Sequence, residues 1–238
     1  TEVSSNAELQ SALKATQGGA VELSIKRGDE THSVQVTACT DRTGVYRLGI
    51  LARDSMAGIG TLTFADPETG VLLPLSEGDL IYSTVETVTR GKSGAPGALQ
   101  GDFSDARPIG TVTKNTVHGI FGTLSDLSLL SGQDALPVAA RDEIRTGDAE
   151  IIANIDGDKV QRYSVQIVRL YPENDEYGRG MMLRVTDPAL LKLTGGIVLG
   201  MSGSPIVQNG KLIGAVTHVL VNDPKRGYGI FIENMLEH

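Results

Sequence analysis

Gly200-Met201-Ser202-Gly203-Ser204-Pro205 decides how this chain is read. An apolar approach, Gly195-Gly196-Ile197-Val198-Leu199, leads into it, and an apolar run from Lys211 to Leu220 follows. The pattern predicts a serine on a tight turn between two extended segments. A nucleophilic hydroxyl has to stand clear of the backbone, and main-chain N–H groups are suited to hold a developing oxyanion. Glycine at 200 lets the chain turn sharply enough to aim those groups inward. The amides of Gly200 and Ser202 are therefore the candidate oxyanion hole. The same six residues also describe an ordinary hairpin with an idle serine, since short motifs match by chance.

Composition narrows the classes. The 238 residues suffice for one large or two small globular units, at roughly 100–200 residues per domain. Four Phe, six Tyr and no Trp leave the core to Val, Ile and Leu, and 29 glycines suit many short strands joined by tight turns. A net charge of −8, with no basic run interleaved with aromatics, argues against nucleic acid as a partner. No stretch approaches the ~18 uninterrupted apolar residues of a membrane-spanning helix. No His/Cys grouping has metal-ligand spacing, so neither a metal nor an organic cofactor is expected. The single cysteine, Cys39, reads as a small buried hydrophobe rather than a reactive thiol.

Residues 1–41 form a separate segment. Ser5-Asn6-Ala7-Glu8 reads as a capping box, Leu9, Ala12 and Leu13 share a helical face, and Gly18-Gly19 stops the helix. Val21, Leu23 and Ile25 alternate with polar residues, Gly28-Asp29 makes a turn, and Ser33 to Val36 returns as a strand. From Val45 onward the chain reads as all-β. Strands are expected at 46–50, 59–64, 81–88, 109–112, 120–124, 150–155, 163–170, 181–185, 206–207, 212–216 and 229–232. Residues 92–97 are an expected exposed loop, and 125–147 an expected crossing between two halves. So many short strands suggest a sandwich or a pair of barrels.

Three runs together resemble the SpoIVB-type serine peptidases of spore-forming bacteria. They are Ala57 to Phe64 with Asp66-Pro67-Glu68-Thr69-Gly70, then Thr194 to Pro205, and then Gly214 to Val219 through Asn222-Asp223-Pro224 to Gly227–Glu233. The likeness covers nearly the whole chain. The run Val3 to Val36 resembles the second half of a PDZ domain of the kind attached to bacterial exported proteases, or else is a small α+β appendage with no binding role. The resemblance implies a mostly β, chymotrypsin-like double β-barrel preceded by a partial PDZ segment. The implied division is 1–41 for that segment, 42–130 for the first barrel and 131–238 for the second.

The resemblance also implies a serine endopeptidase, with Ser202 as nucleophile and a histidine and an aspartate as partners. The aspartate carries over onto Asp187, which an Asx turn before Pro188 explains equally well; Asp102 is the second candidate. The histidine of the family lies in a glycine-rich run after the Asp-Pro-x-Thr-Gly turn. Here Thr69-Gly70 passes directly into Val71-Leu72-Leu73, with no histidine between. Without a base a serine hydroxyl is a poor nucleophile. Either the histidine loop belongs to the native protein between Gly70 and Val71, or the chain is a degenerate peptidase fold that binds peptides without cutting them. His118 is expected at a strand edge and His32 facing solvent. Thr217, His218 and Val221-Asn222-Asp223 are the expected substrate wall. By resemblance, the partners are protein or peptide substrates, in particular extracytoplasmic parts of membrane proteins, with self-cleavage common. The location implied is exported, between the forespore and mother-cell membranes, in sporulation signalling.

Overall fold

The computed structural model describes residues 3, 6–27, 30–40, 44–50, 60–65, 71–73, 78–102, 107–116, 118–132, 135–157, 159–171 and 179–237. The chain divides into two compact units, Thr1–Gly58 and Ile59–His238.

The first unit begins with helix α1 (Asn6–Ala15), which carries Glu8 in its first turn and Lys14 in its last, as the helix dipole favours. Its anchor is Leu13, 1% exposed. Gln17 and Gly18, both at positive φ, end the run. Strands β1 (Ala20–Arg27) and β2 (Glu30–Thr37) form an antiparallel pair. The expected Gly28-Asp29 turn lies outside the described residues. Val21, Leu23 and Ile25 are half-buried on one face of β1, as the alternation predicts. Short strands β3 (Cys39–Thr40) and β4 (Tyr46–Arg47) pair next, and the Tyr46 ring edge lies close to Gly18. The first unit thus runs beyond residue 41. Cys39 is exposed, contrary to expectation. Val36 and Ala38 take the inward positions, so period-two alternation turns residue 39 outward.

In the second unit, strands β5 (Val71–Leu73), β6 (Gly78–Ile81), β9 (Pro108–Thr116) and β10 (Gly119–Leu124) make a four-stranded sheet in the order β5-β10-β9-β6. Val112, Phe121 and Leu124 are its buried apolar residues. A separate hairpin, β7 (Thr84–Thr89) with β8 (Ala98–Asp102), is inserted between β6 and β9. The single strand expected at 81–88 is therefore two strands belonging to different sheets. Residues 60–64, the described part of the strand expected at 59–64, belong to no ladder.

The remaining strands close on themselves. Strands β11 (Gly147–Asn154), β12 (Val160–Leu170), β13 (Met181–Val185), β14 (Pro205–Gln208), β15 (Lys211–Leu220) and β16 (Asp223–Phe231) form a closed antiparallel barrel in the ring order β11-β12-β13-β16-β15-β14. Strict alternation fills it: Ala149, Ile151 and Ala153 from β11, Tyr163, Val165 and Ile167 from β12, and Met181, Leu183 and Val185 from β13 are all buried. Helix α2 (Pro188–Thr194) follows β13, and helix α3 (Ile232–Leu236) follows β16.

Strand β15 departs from simple alternation. Simple alternation would put Ala215, Thr217 and Val219 on one face and Val216 and His218 on the other. Register shifts at Val216/His218 and Val219/Leu220 break that pattern. Val216 and Val219 pack on the main core, whereas Ala215 and Leu212 join a second cluster with Ile230, Ile232 and Met235.

Candidate active site

The turn between Leu199 and Ser204 is held by parts of the chain far away in sequence. Met201 and Ser204 are fully buried beneath it, while Ser202 is exposed. The Ser202 hydroxyl donates to the Thr217 carbonyl on β15 at 2.8 Å. Gly200 and Gly203 lie at φ +99° and +93°, where side-chain-bearing residues are strained. At Gly203 even a methyl group would sit 2.0 Å from the Thr61 carbonyl oxygen.

Every other backbone polar group in this turn is occupied, which isolates two amides. The Leu199 N–H donates to the Gly97 carbonyl at 2.9 Å, and the Leu199 carbonyl accepts from the Leu99 N–H at 2.8 Å. The Met201 N–H goes to the Val198 carbonyl, the Gly203 N–H to Val216, and the Ser204 N–H to Met201. The Gly200 carbonyl accepts from the Thr61 hydroxyl at 3.3 Å, and the Ser202 carbonyl from the Thr61 N–H at 2.9 Å. The Gly203 carbonyl accepts from the Thr63 hydroxyl at 2.7 Å, and the Ser204 carbonyl from the Val216 N–H at 2.9 Å. Within this turn, only the N–H groups of Gly200 and Ser202 have no hydrogen-bond acceptor among the described residues. Backbone donors in a well-packed structure are nearly always paired. Two unpaired amides on either side of one peptide, next to an exposed hydroxyl, leave room for an anionic oxygen.

The other expected residues lie further off. Asp187 caps α2: its carboxylate accepts from the N–H groups of Ala189 at 2.8 Å and Leu190 at 3.0 Å, and from that of Ser164 at 3.3 Å. Ser164 belongs to β12, which stands three strands from β15 in either direction round the ring. No hydrogen bond joins Asp187 to Ser202 among the described residues. Asp102 ends β8, and its carbonyl accepts from the Ser83 hydroxyl. The Thr217 hydroxyl bonds the Tyr228 carbonyl at 3.2 Å, and His218 is exposed on β15. His118 sits in the turn between β9 and β10, its N–H on the Thr116 hydroxyl. His32 lies half-exposed beside Glu30, as expected of a solvent-facing residue. Residues 66–70, which precede the expected histidine loop, lie outside the described residues. Among the described residues no cluster could hold a metal ion, and no helix is long and apolar enough to cross a membrane.

Two contributors escaped the sequence reading. Thr61 and Thr63 share a face by their i, i+2 spacing, and that face meets the serine turn. Residues 92–97 are not an exposed loop throughout, because Gly97 is buried against Val198. The buried Gly97 is invisible in sequence, where Gly94-Ala95-Pro96-Gly97 looks like any surface turn.

Residues 44–236 match the family described as SpoIVB peptidase S55. Among solved structures the chain is similar to the Rv3671c protease from M. tuberculosis in its active form, at 14% identity over 99% of this chain and 86% of that one, with a TM-score of 0.43. It is similar to Deg5 at 9% identity over 98% and 93%, with a TM-score of 0.39. A glutamic acid specific serine protease matches at 15% identity over 66% and 88%, with a TM-score of 0.36. No curated protein matches the chain.

Proposed function

The chain belongs to the SpoIVB peptidase S55 family of serine endopeptidases, and on that premise we propose that Ser202 is the nucleophile and that the Gly200 and Ser202 amides form its oxyanion hole. The observation that carries this reading is the isolation of those two N–H groups in a turn whose other backbone groups are all occupied. In the reaction Ser202 Oγ bonds to the scissile carbonyl carbon, and the carbonyl oxygen takes up the electron pair between the two amides. The C–N bond then breaks, and the hydroxyl proton passes through a base to the leaving amine. Water hydrolyses the acyl-serine and restores the hydroxyl.

The Thr217 carbonyl orients the hydroxyl of Ser202 but cannot take its proton, so a separate base is required. We place that base on a histidine that the 238-residue sequence does not contain, in a loop that the native protein would carry between Gly70 and Val71 as the family does. Asp187 and Asp102 are the two candidate acids, and the three N–H bonds to Asp187 weigh towards a capping role for it. Thr217 and His218 are proposed to line the substrate.

A fluorophosphonate probe tests the assignment. Labelling that disappears in Ser202→Ala supports the nucleophile, while an unreactive parent chain overturns it. The bond from the Ser202 hydroxyl to a carbonyl also favours a second reading, a peptide-binding module without turnover. Saturable binding of a substrate-like peptide with neither labelling nor cleavage would select it.

The finer reading is proteolytic signalling in sporulation, on extracytoplasmic parts of membrane proteins in the forespore–mother cell intermembrane space, with self-cleavage and with residues 1–41 as a PDZ remnant. It rests on the likeness of the three sequence runs to the family. Loss of spore formation on deleting the gene, rescued by the parent sequence and not by Ser202→Ala, is the expected result.

A further inference from the structure

The β7–β8 hairpin lies in sequence between β6 and β9 of the four-stranded sheet, yet its hydrogen bonds run to the barrel's loops. The Val85 N–H donates to the Gly157 carbonyl in the β11–β12 turn at 3.4 Å. The Gly91 N–H donates to Thr194 at 2.7 Å, the Gly94 N–H to Val221 at 2.9 Å, and the Ser93 hydroxyl to Asn222 at 2.9 Å. Arg90 donates to the Leu191 carbonyl of α2. At its exit the hairpin forms a parallel bridge, Ala98 with Leu199, in which Gly97 and Leu99 grip both polar groups of Leu199.

That grip bears on the peptide linking Leu199 to Gly200. A trans peptide is planar, so its C=O and N–H point in opposite directions. The Leu99 N–H therefore fixes the direction of the Gly200 N–H by holding the carbonyl across the same bond. The second amide is fixed from within the turn, because the Met201 carbonyl accepts from the Ser204 N–H at 3.0 Å. Leu99 is 7% exposed and packs in the main core, which anchors the donor. At Gly200 a positive φ and an absent side chain leave little local resistance to rotating that peptide.

We propose that Leu99 is the positioning residue of the oxyanion hole, and that the β7–β8 hairpin braces the Leu199–Gly200 peptide in its anion-receiving orientation. The proposal rests on the nucleophile reading above for its chemical consequence, though not for its geometry. Leu99 touches no substrate; it acts through Gly200.

The test removes one hydrogen and keeps the side chain, by replacing Leu99 with its α-hydroxy acid so that the N–H becomes an ester oxygen. The control puts the same change at Gln100, whose N–H faces β7 because successive N–H groups in a strand alternate in direction. The readout is the rate of fluorophosphonate labelling, in which an Oγ–P bond forms, P–F breaks, fluoride leaves and the hydroxyl proton goes to solvent. The ester at position 99 is expected to slow labelling about 100-fold, the size of losing one oxyanion donor. The Gln100 ester should slow it less than about threefold, and binding of an uncleaved product peptide should be the same in both. Equal slowing by the two esters, or none at 99, overturns the proposal. Should the parent chain itself fail to label, the nucleophile reading falls and the crystal structure of the position-99 ester decides the brace. A rotated Leu199–Gly200 peptide supports it, and an unmoved one refutes it.

Discussion

The two lobes of the second unit are built to different standards of closure. In the barrel, β14 is buried at all four positions and β15 at five consecutive ones, because packed elements cover the sheet on both faces. In the first lobe β9 and β10 bury scattered positions, and Ile120 stands 40% exposed. The serine turn takes its backbone restraints from both. The barrel contributes Val216 and Thr217, while Thr61, Thr63 and the 97–99 bridge come from the first-lobe side. A closed ring thus presents the hydroxyl, and segments from outside the ring hold the groups around it.

The contrast is broken most sharply by core truncation. Leu183→Ala, at a fully buried barrel position, should cost about 3 kcal/mol and lower the midpoint of the barrel's unfolding followed by circular dichroism. Phe121→Ala, at 6% exposure in the open sheet, should cost about 2 kcal/mol, less than its size suggests, because the site can relax. Hydrogen exchange should then quicken in β9 and β10 while β11 to β13 stay protected. Uniform loss of protection in both lobes would remove the distinction drawn here.

Capping comes next in size. Asp187→Ala should lose about 1 kcal/mol of stability, and Asp187→Asn only a few tenths, because asparagine also caps. Activity separates the roles of this residue. A triad acid would lose about 10⁴-fold in kcat on changing to asparagine, whereas a pure cap would lose little.

The smallest effect concerns Tyr163, inside the barrel. Burial, with repulsion from the Asp187 and Asp156 carboxylates, holds its hydroxyl above the ordinary value of 10.0. The folded state therefore keeps a proton that the unfolded chain releases. Stability is undiminished below pH 10 and declines as pH rises through the raised folded value. Tyr163→Phe should flatten that alkaline limb in a pH series of melting temperatures.

Local pattern was legible in the sequence, and long-range pairing was not. The span 181–185 matched β13 end to end because its apolar residues alternate between an Asp-Pro stop and a glycine. The Ser202 turn was legible because its glycines are dictated by backbone geometry within six residues. The hairpin β7–β8 was misread, since a run such as Ile81 to Val88 carries no mark of where one sheet ends and another begins. Cys39 was misplaced for a simpler reason: hydrophobic preference outranked a one-residue shift in phase. Thr61 and Thr63 were unreadable as supports because their partners stand some 140 positions away.

That separation has a kinetic consequence. A turn whose restraints arrive from residues 61, 97–99 and 216 cannot be completed until the intervening chain has closed several large loops. A nascent polypeptide still emerging from the ribosome would carry Ser202 without the restraints that shape its turn. If Ser202 is the nucleophile, its competence would arrive only with the completed fold.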